Sequence, residues 1–298
     1  MKLLITGASG LLGSKLVELA HDAGHTVSSL YNEHPAKGNQ PIRVDLRNAE
    51  EVRRILANHA PEAVIHTASI TDVDFCERNP SLAMDVNGKA TGVVASACRE
   101  LNSFLVYIST DYVFDGQTGR YKEEDKPNPV NAYGQSKLLG EQMVEANIPR
   151  DHCTVRTSAM FGCGREHRSN LGTWLLEQLS TGQTVKVING QYASPTLSTH
   201  LAKMLLEVAE RRVTGIIHLA GANRMNRYEF AIRLAQEFKF NTALVAPIAP
   251  DSANWYAKRP LDSSLNIEKA SQILEVKPMT VDDELRDFKL ELQQRKIL

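Results

Sequence analysis

The residues Lys2 to Thr6 form a short apolar run, of the kind that fills a strand buried on both faces of a parallel sheet. Over 11–23 the apolar positions fall at helical spacing, with Leu12, Leu16, Leu19 and Ala20 on one face. Gly24 follows, able to close that helix in a left-handed conformation. The two periods then alternate. Strand-like runs occupy 25–31, 42–44, 63–66, 104–109 and 153–156, and helical patterns occupy 48–59, 80–101 and 132–147. This order predicts an α/β fold, a doubly wound parallel sheet with helices on both faces and right-handed crossovers. After residue 157 the rhythm loosens. Helices are expected at 171–180, 198–211 and 228–238, a strand at 184–188, and a mobile loop over 162–170.

Composition narrows the function classes. The 298 residues carry a formal net charge of −1, which leaves no electrostatic footprint for nucleic acid. Arg53-Arg54 and Arg211-Arg212 sit among acidic residues and read as solvated helix faces. Hydrophobic residues make up 42%, enough in a chain this long to build a core without disulfides or metals. Cys76, Cys98, Cys153 and Cys163 form no C-x-x-C pair and have no metal-ligand spacing, so reduced thiols and no metal are expected. No run approaches the ~18 apolar residues a membrane span needs. The chain opens directly on a strand-like run rather than a targeting segment. A soluble, cytoplasmic protein with no membrane partner is the expectation.

The first strand runs into Gly7-Ala8-Ser9-Gly10-Leu11-Leu12-Gly13 and then into a helix. Strand, glycine turn and helix in that order make a dinucleotide phosphate site. Gly7 permits the tight turn, Gly10 lets the backbone approach a pyrophosphate at the helix N-terminus, and Gly13 allows close helix packing. The G-x-x-G-x-x-G spacing resembles that of extended short-chain dehydrogenases/reductases. A Rossmann-type NAD(P)-binding domain is therefore expected over 1–157. The rest, 158–298, is expected to be mainly a substrate-binding subdomain, with some segments returning to the first domain and the ligand cleft between the two. The second strand ends in Tyr31-Asn32, where an NAD site would place a carboxylate for the ribose 2′-hydroxyl. With no such carboxylate and Lys37 nearby, NADPH is favoured, and NADH stays open because Glu33 is close.

Tyr133-Gly-Gln-Ser-Lys137 is a Y-x-x-x-K pair at helical spacing, so one helix face presents both side chains. Reducing a ketone by hydride leaves an alkoxide that must be protonated. An ordinary tyrosine titrates near ~10, and a lysine ammonium beside it is expected to lower that value. The pair alone is weak, since it recurs on solvated helices. Context strengthens it: Thr110 follows the strand 104–109, at the carboxyl end where such sheets bind ligand, and its hydroxyl can polarise a carbonyl. His66 reads as a hydrogen-bonded core histidine. Asp72 and Asp74 form a carboxylate pair without leaving-group logic for glycosidase chemistry. Trp174 and Trp255 read as packing or pocket wall. Asn87, mid-helix, reads equally as packing or as a bridge near the site.

Larger strings carry a resemblance. Ala68-Ser-Ile-Thr-Asp-Val-Asp74-Phe-Cys-Glu77, Val86-Asn87, Thr110-Asp-Tyr-Val-Phe-Asp-Gly116, Tyr121 to Asp125 with Pro127 and Pro129, Tyr133 to Lys137, Arg156-Thr-Ser158, Gln191 to Thr196 and Arg259-Pro260 resemble the dTDP-4-dehydrorhamnose reductase family along nearly the whole chain. The resemblance implies NAD(P)H-dependent reduction of the 4-keto group of a nucleotide-linked deoxysugar, dTDP-4-dehydrorhamnose to dTDP-rhamnose. It implies Thr110, Tyr133 and Lys137 as catalytic residues, the last two also touching the cofactor. Further cofactor contacts are implied at Ser9, Gly10, Leu11, Leu12, Asp45, Leu46, Thr67, Ala68, Ser69, Ile70, Thr71 and Tyr107. Substrate contacts are implied at Asp74, Thr110, Asp111, Tyr112 and Arg259. A homodimer is a further expectation. The chain is also similar to the regulatory beta subunit of methionine adenosyltransferase, which implies a non-catalytic alternative that binds NADP. An extended-family dehydratase is disfavoured, because Asp111-Tyr112 stands where dehydratases place Asp-Glu. Two departures matter. Ala159 stands where a bacterial reductase places a tryptophan against the sugar. Ser14-Lys15 replaces a first-helix glutamate, so a metal-linked dimer is not expected.

Overall fold

Helices cover both faces of the central sheet, and its first strand, β1 (Lys2–Thr6), is accordingly apolar throughout, with Leu3, Leu4 and Ile5 buried. In this computed structural model, which describes residues 1–36, 41–164 and 169–295, the chain continues through α1 (Leu11–Asp22), β2 (Thr26–Tyr31), β3 (Ile42–Arg43), α2 (Ala49–His59), β4 (Ala63–His66), α3 (Val73–Arg78), α4 (Pro80–Ala83), α5 (Ala90–Leu101), β5 (Phe104–Thr110), α6 (Ala132–Asn147) and β6 (His152–Thr157). The second half holds β7 (Met160–Phe161), α7 (Leu171–Ser180), β8 (Val185–Ile188), β9 (Tyr192–Ala193), β10 (Thr196–Leu197), α8 (Ser198–Glu210), β11 (Gly215–His218), β12 (Met225–Asn226), α9 (Arg227–Glu237), β13 (Val245–Ile248), α10 (Glu268–Ile273) and α11 (Val281–Gln294). None of the described helices is long and apolar enough to cross a membrane.

Seven strands pair in the order β11-β6-β5-β4-β1-β2-β3, all parallel. This is a Rossmann-like α/β architecture. The order reverses beside β1, so the carboxyl ends of β1, β4 and β5 open onto one crevice, the place where doubly wound sheets bind ligands. The second half contributes to the sheet. β11 extends it beyond β6, and α8 packs along α1. A separate core joins α7, α9 and α11, with Phe161 edge-on to both Phe230 and Phe288.

Several elements differ from the pattern-based expectation. The helix expected over 80–101 is three pieces: a π-helical turn, Met84–Lys89, separates α4 from α5. Short β7, β9, β10 and β12 escape any two-residue periodicity because each is two residues long. Of the segment 162–170, residues 165–168 lie outside the described residues, and its far end is anchored. Asn170 caps α7 in a reciprocal capping box with Thr173 and donates to the Gly162 carbonyl at 2.9 Å. Lys15 is neither exposed nor unpaired. It is 3% exposed, and its Nζ donates to Glu291 of α11 at 2.9 Å, while Arg295 bonds Glu18 at 2.7 Å. All four cysteines are free and buried.

Candidate active site

Close backbone approach shapes the glycine turn between β1 and α1. Gly7 has φ +64°, and a Cβ there would lie 2.8 Å from the Ala68 backbone. A Cβ on Gly13 would come within 2.1 Å of the Gly7 carbonyl oxygen. Gly10 differs: it is the N-cap of α1, no side chain caps that end, and the nearest atom to its Cβ position is 3.3 Å away. The first-turn N–H groups of α1 therefore have room for an anionic pyrophosphate, with Ser9 and Leu11 flanking and Leu12 buried beneath. His66 closes the floor. Its ring nitrogens are hydrogen-bonded to the Thr6 and Thr91 hydroxyls at 2.7 and 3.0 Å, and burial drives its pKa down to about 3. It is a neutral core histidine.

At the far end of the crevice Tyr31 packs against the core and pairs in register with Arg43. Arg43 Nε donates to the Asn32 carbonyl at 3.1 Å, leaving an exposed guanidinium beside Tyr31-Asn32. Sequence reasoning missed this cation; the register of β2 with β3 was the signal. Lys37, weighed in that role, lies outside the described residues. Asp45 is held by Arg47, whose hydrogen bonds keep its carboxyl below the ordinary range, and Leu46 is buried in the adjoining core.

The stretch after β4 is organised by Asn87. Its Oδ1 accepts from the Ile70 amide at 2.8 Å and the Ser69 hydroxyl at 3.0 Å, and its Nδ2 donates to the Ile70 carbonyl and to Ser136. The π-helical turn puts Asn87 there. Thr67 donates to the Thr6 carbonyl, the Ala68 amide donates to the Thr6 hydroxyl, and Thr71 is exposed at the rim. One asparagine thus ties the 67–71 stretch to the helix that carries Tyr133.

Thr110 ends β5, and Tyr133 and Lys137 share a face of α6, which Asn131 caps. Tyr133 lies beside Thr110 and stands edge-on to Tyr112, ring centroids 5.9 Å apart. Lys137 is 2% exposed, with Nζ over the Tyr107 ring at 4.3 Å. Tyr107 is fully buried beneath it and spends its hydroxyl on the Lys137 carbonyl, so it reaches the crevice through that lysine. The expected lowering of the phenol by the ammonium does not appear. Burial pushes Tyr133 well up, with Thr110 the neighbour that opposes its rise, and Lys137 down to about 7. Glu141, one turn further, opposes the fall of Lys137 and is itself bound by Arg156 and Ser109.

Asp111 is the group sequence reasoning described least fully. It is buried, and it accepts from Thr110 at 3.0 Å, Ser158 at 2.8 Å and Ser263 at 2.5 Å; desolvation raises its pKa against these bonds. Asp111 and Tyr112 line a cavity of about 270 Å³ that runs between α7 and α9, with Ala159 in its wall at φ +39°. Burial raises the Tyr112 phenol, with Arg227, Arg259 and Gln191 opposing. Asp74 and Arg259 meet each other: Nη2 donates to Asp74 at 2.9 Å, and Asp74 also accepts the Ala257 amide. Trp255 stacks against Arg259, and Asp72 caps α3.

The phosphate turn, the Thr110-Tyr133-Lys137 group and the adjoining cavity span both halves of the chain, and residues 1–294 match the RmlD substrate binding domain family. The chain belongs to that family. It is 33% identical to a dTDP-4-dehydrorhamnose reductase of Aggregatibacter actinomycetemcomitans over 93% of this chain and 94% of that one. It is 30% identical to methionine adenosyltransferase 2 subunit beta of Bos taurus, over 90% and 81%. Among solved structures, a hypothetical dTDP-4-dehydrorhamnose reductase of Sulfolobus tokodaii superposes with TM-score 0.85 at 37% identity, covering 95% and 98%. The dTDP-4-dehydrorhamnose reductase of Bacillus anthracis in complex with NADP superposes with TM-score 0.87 at 27% identity, covering 97% and 99%. This member of the RmlD substrate binding domain family is an NAD(P)-dependent oxidoreductase of the extended short-chain dehydrogenase/reductase type.

Proposed function

We propose that the protein reduces the 4-keto group of a nucleotide-linked deoxysugar, with dTDP-4-dehydrorhamnose as the substrate that the relatives favour and NADPH as reductant. The observation that carries the reading is that Thr110 and Tyr133, with Lys137 one turn along the same helix, adjoin the cavity through Asp111 and Tyr112, the Tyr133 ring lying 5.9 Å from that of Tyr112. The glycine turn fits a dinucleotide, since side chains at Gly7 or Gly13 would fill the cradle and the α1 N-terminus lacks a side-chain cap. Gly10, Leu11 and Leu12 would hold the pyrophosphate, Ser69, Ile70 and Lys137 the nicotinamide end, and Asp45 and Leu46 the adenosine end. Arg43 beside Tyr31 and Asn32 supports NADPH over NADH.

Bound in that cradle, NADPH would be the hydride source for the carbonyl carbon. Tyr133 gives its phenolic proton to the carbonyl oxygen, and Lys137 favours the phenolate left behind when its ammonium is charged. Thr110 donates to Asp111 when no carbonyl is near, so polarising one requires that hydroxyl to turn. The turn is inexpensive, because Asp111 keeps Ser158 and Ser263 as donors. The test is oxidation of NADPH followed by absorbance with a panel of 4-keto nucleotide-sugars. Turnover with at least one of them is expected. A wild-type protein that binds NADPH yet reduces none supports the second reading, a cofactor-binding subunit like the methionine adenosyltransferase relative.

A further inference from the structure

Arg227 opens α9 and lines the cavity with its guanidinium half-buried. Its Nε donates to Gln191 Oε1 at 2.8 Å, and Gln191 in turn donates through Nε2 to the Pro260 carbonyl at 3.3 Å. The side chain is thereby aimed. Its two terminal nitrogens have no hydrogen-bond partner and no carboxylate among the described residues, and Arg227 is the one cationic side chain among the described residues that line the cavity. A guanidinium withdrawn from water without an anion is unfavourable, and its fork matches two oxygens of a phosphate. Asp111, the one carboxylate among the described lining residues, is occupied by three hydroxyls and does not pair with it.

The geometry points to Arg227 as the anchor for the diphosphate of the substrate. This rests on the reading of the cavity as a nucleotide-sugar site. The sugar's reacting carbon must lie by Thr110 and Tyr133. Tyr112 and Gln191 connect that end to Arg227, so the anion is held beyond the sugar, and the apolar walls Phe161, Leu171 and Phe230 take the nucleoside attached to that anion. No carboxylate on the sugar ring itself is needed to satisfy the guanidinium.

The test is calorimetric titration of the NADPH-loaded protein, wild type, Arg227→Gln and Arg227→Lys, with dTDP, thymidine and glucuronate. Arg227→Gln is expected to weaken dTDP about tenfold or more, to leave thymidine and NADPH binding unchanged, and Arg227→Lys to recover part of the loss. An unchanged dTDP affinity in Arg227→Gln overturns the assignment. So does a wild type that fails to bind dTDP, or Arg227-dependent binding of glucuronate in place of dTDP. The two readings fail separately. Arg227-dependent dTDP binding without keto-sugar reduction keeps the anchor and removes the reductase. Keto-sugar reduction with an unchanged KM in Arg227→Gln does the reverse.

Discussion

Both carboxylate oxygens of Glu141 accept from the Arg156 guanidinium, Nε at 3.0 Å and Nη2 at 2.8 Å, inside the protein and one helical turn from Lys137. The Glu141 charge opposes the burial that holds Lys137 at about 7. An activity that needs the ammonium is full below that pH and lost as pH rises through it. Glu141→Gln removes the opposing charge and leaves Arg156 without its anion. The alkaline limb of the kcat profile should therefore move to lower pH, with a larger loss above neutrality than below it. An alkaline limb that stays in place would show that Glu141 does not tune Lys137.

Tyr133→Phe deletes the transferable proton and keeps the ring. Turnover should fall by on the order of 10²–10⁴-fold, the usual contribution of one general acid. NADPH affinity should hold, because the lysine and the glycine turn are untouched. Single-turnover kinetics and a fluorescence titration check the two halves; near-normal kcat would remove Tyr133 from the chemistry.

Arg43→Ala should weaken NADPH on the order of tenfold, the scale of one charge-assisted contact to a phosphate, and leave NADH nearly unchanged. The variant keeps Tyr31 and the β2–β3 pairing, whose bonds are backbone ones. Equal losses for the two cofactors would mean that Arg43 does not read the 2′-phosphate.

Glu284 is fully buried in the first turn of α11. Neither carboxyl oxygen finds a partner in hydrogen-bond geometry among the described residues, and burial pushes its pKa to about 8 from the usual 4.5, with the Leu197 amide offsetting part of the rise. The folded protein keeps this proton where the unfolded chain has released it. Its contribution thus costs stability progressively as pH rises from 4.5 to about 8. Glu284→Gln lacks that cost. Unfolding free energies of the two proteins from denaturant titration should converge in acid and separate toward neutrality in favour of the variant, by on the order of 3 kcal/mol at about pH 7. A constant difference across pH would show that Glu284 is ionised in the native state.

What could be read in the chain was local. Gly7, Gly10 and Gly13 announce their turn by spacing, and Tyr133 and Lys137 share a helix face by the same arithmetic. The π-helical turn at Met84–Lys89 was invisible, because one extra residue in a turn leaves the apolar face nearly continuous, yet it delivers Asn87 to Ile70. The fate of Asp111 depended on Ser263, 152 positions away, and that of Arg43 on strand register. The pattern at Val281, Leu285, Phe288 and Leu292 has helical spacing, but the acidic residues between them obscured α11. Polar partners that meet only through tertiary contact leave no period to follow.

The bond from Lys15 to Glu291 joins residues 276 positions apart. A ribosome delivers the first helix long before its counterion. Until α11 emerges, α1 must either keep an unneutralised ammonium at a surface destined for burial or stay undocked from its final neighbours. Because the same helix begins at the glycine turn, a nascent chain stopped short of Glu291 should grip a dinucleotide poorly. Order at the glycine turn is thus completed by a residue made 276 positions after Lys15.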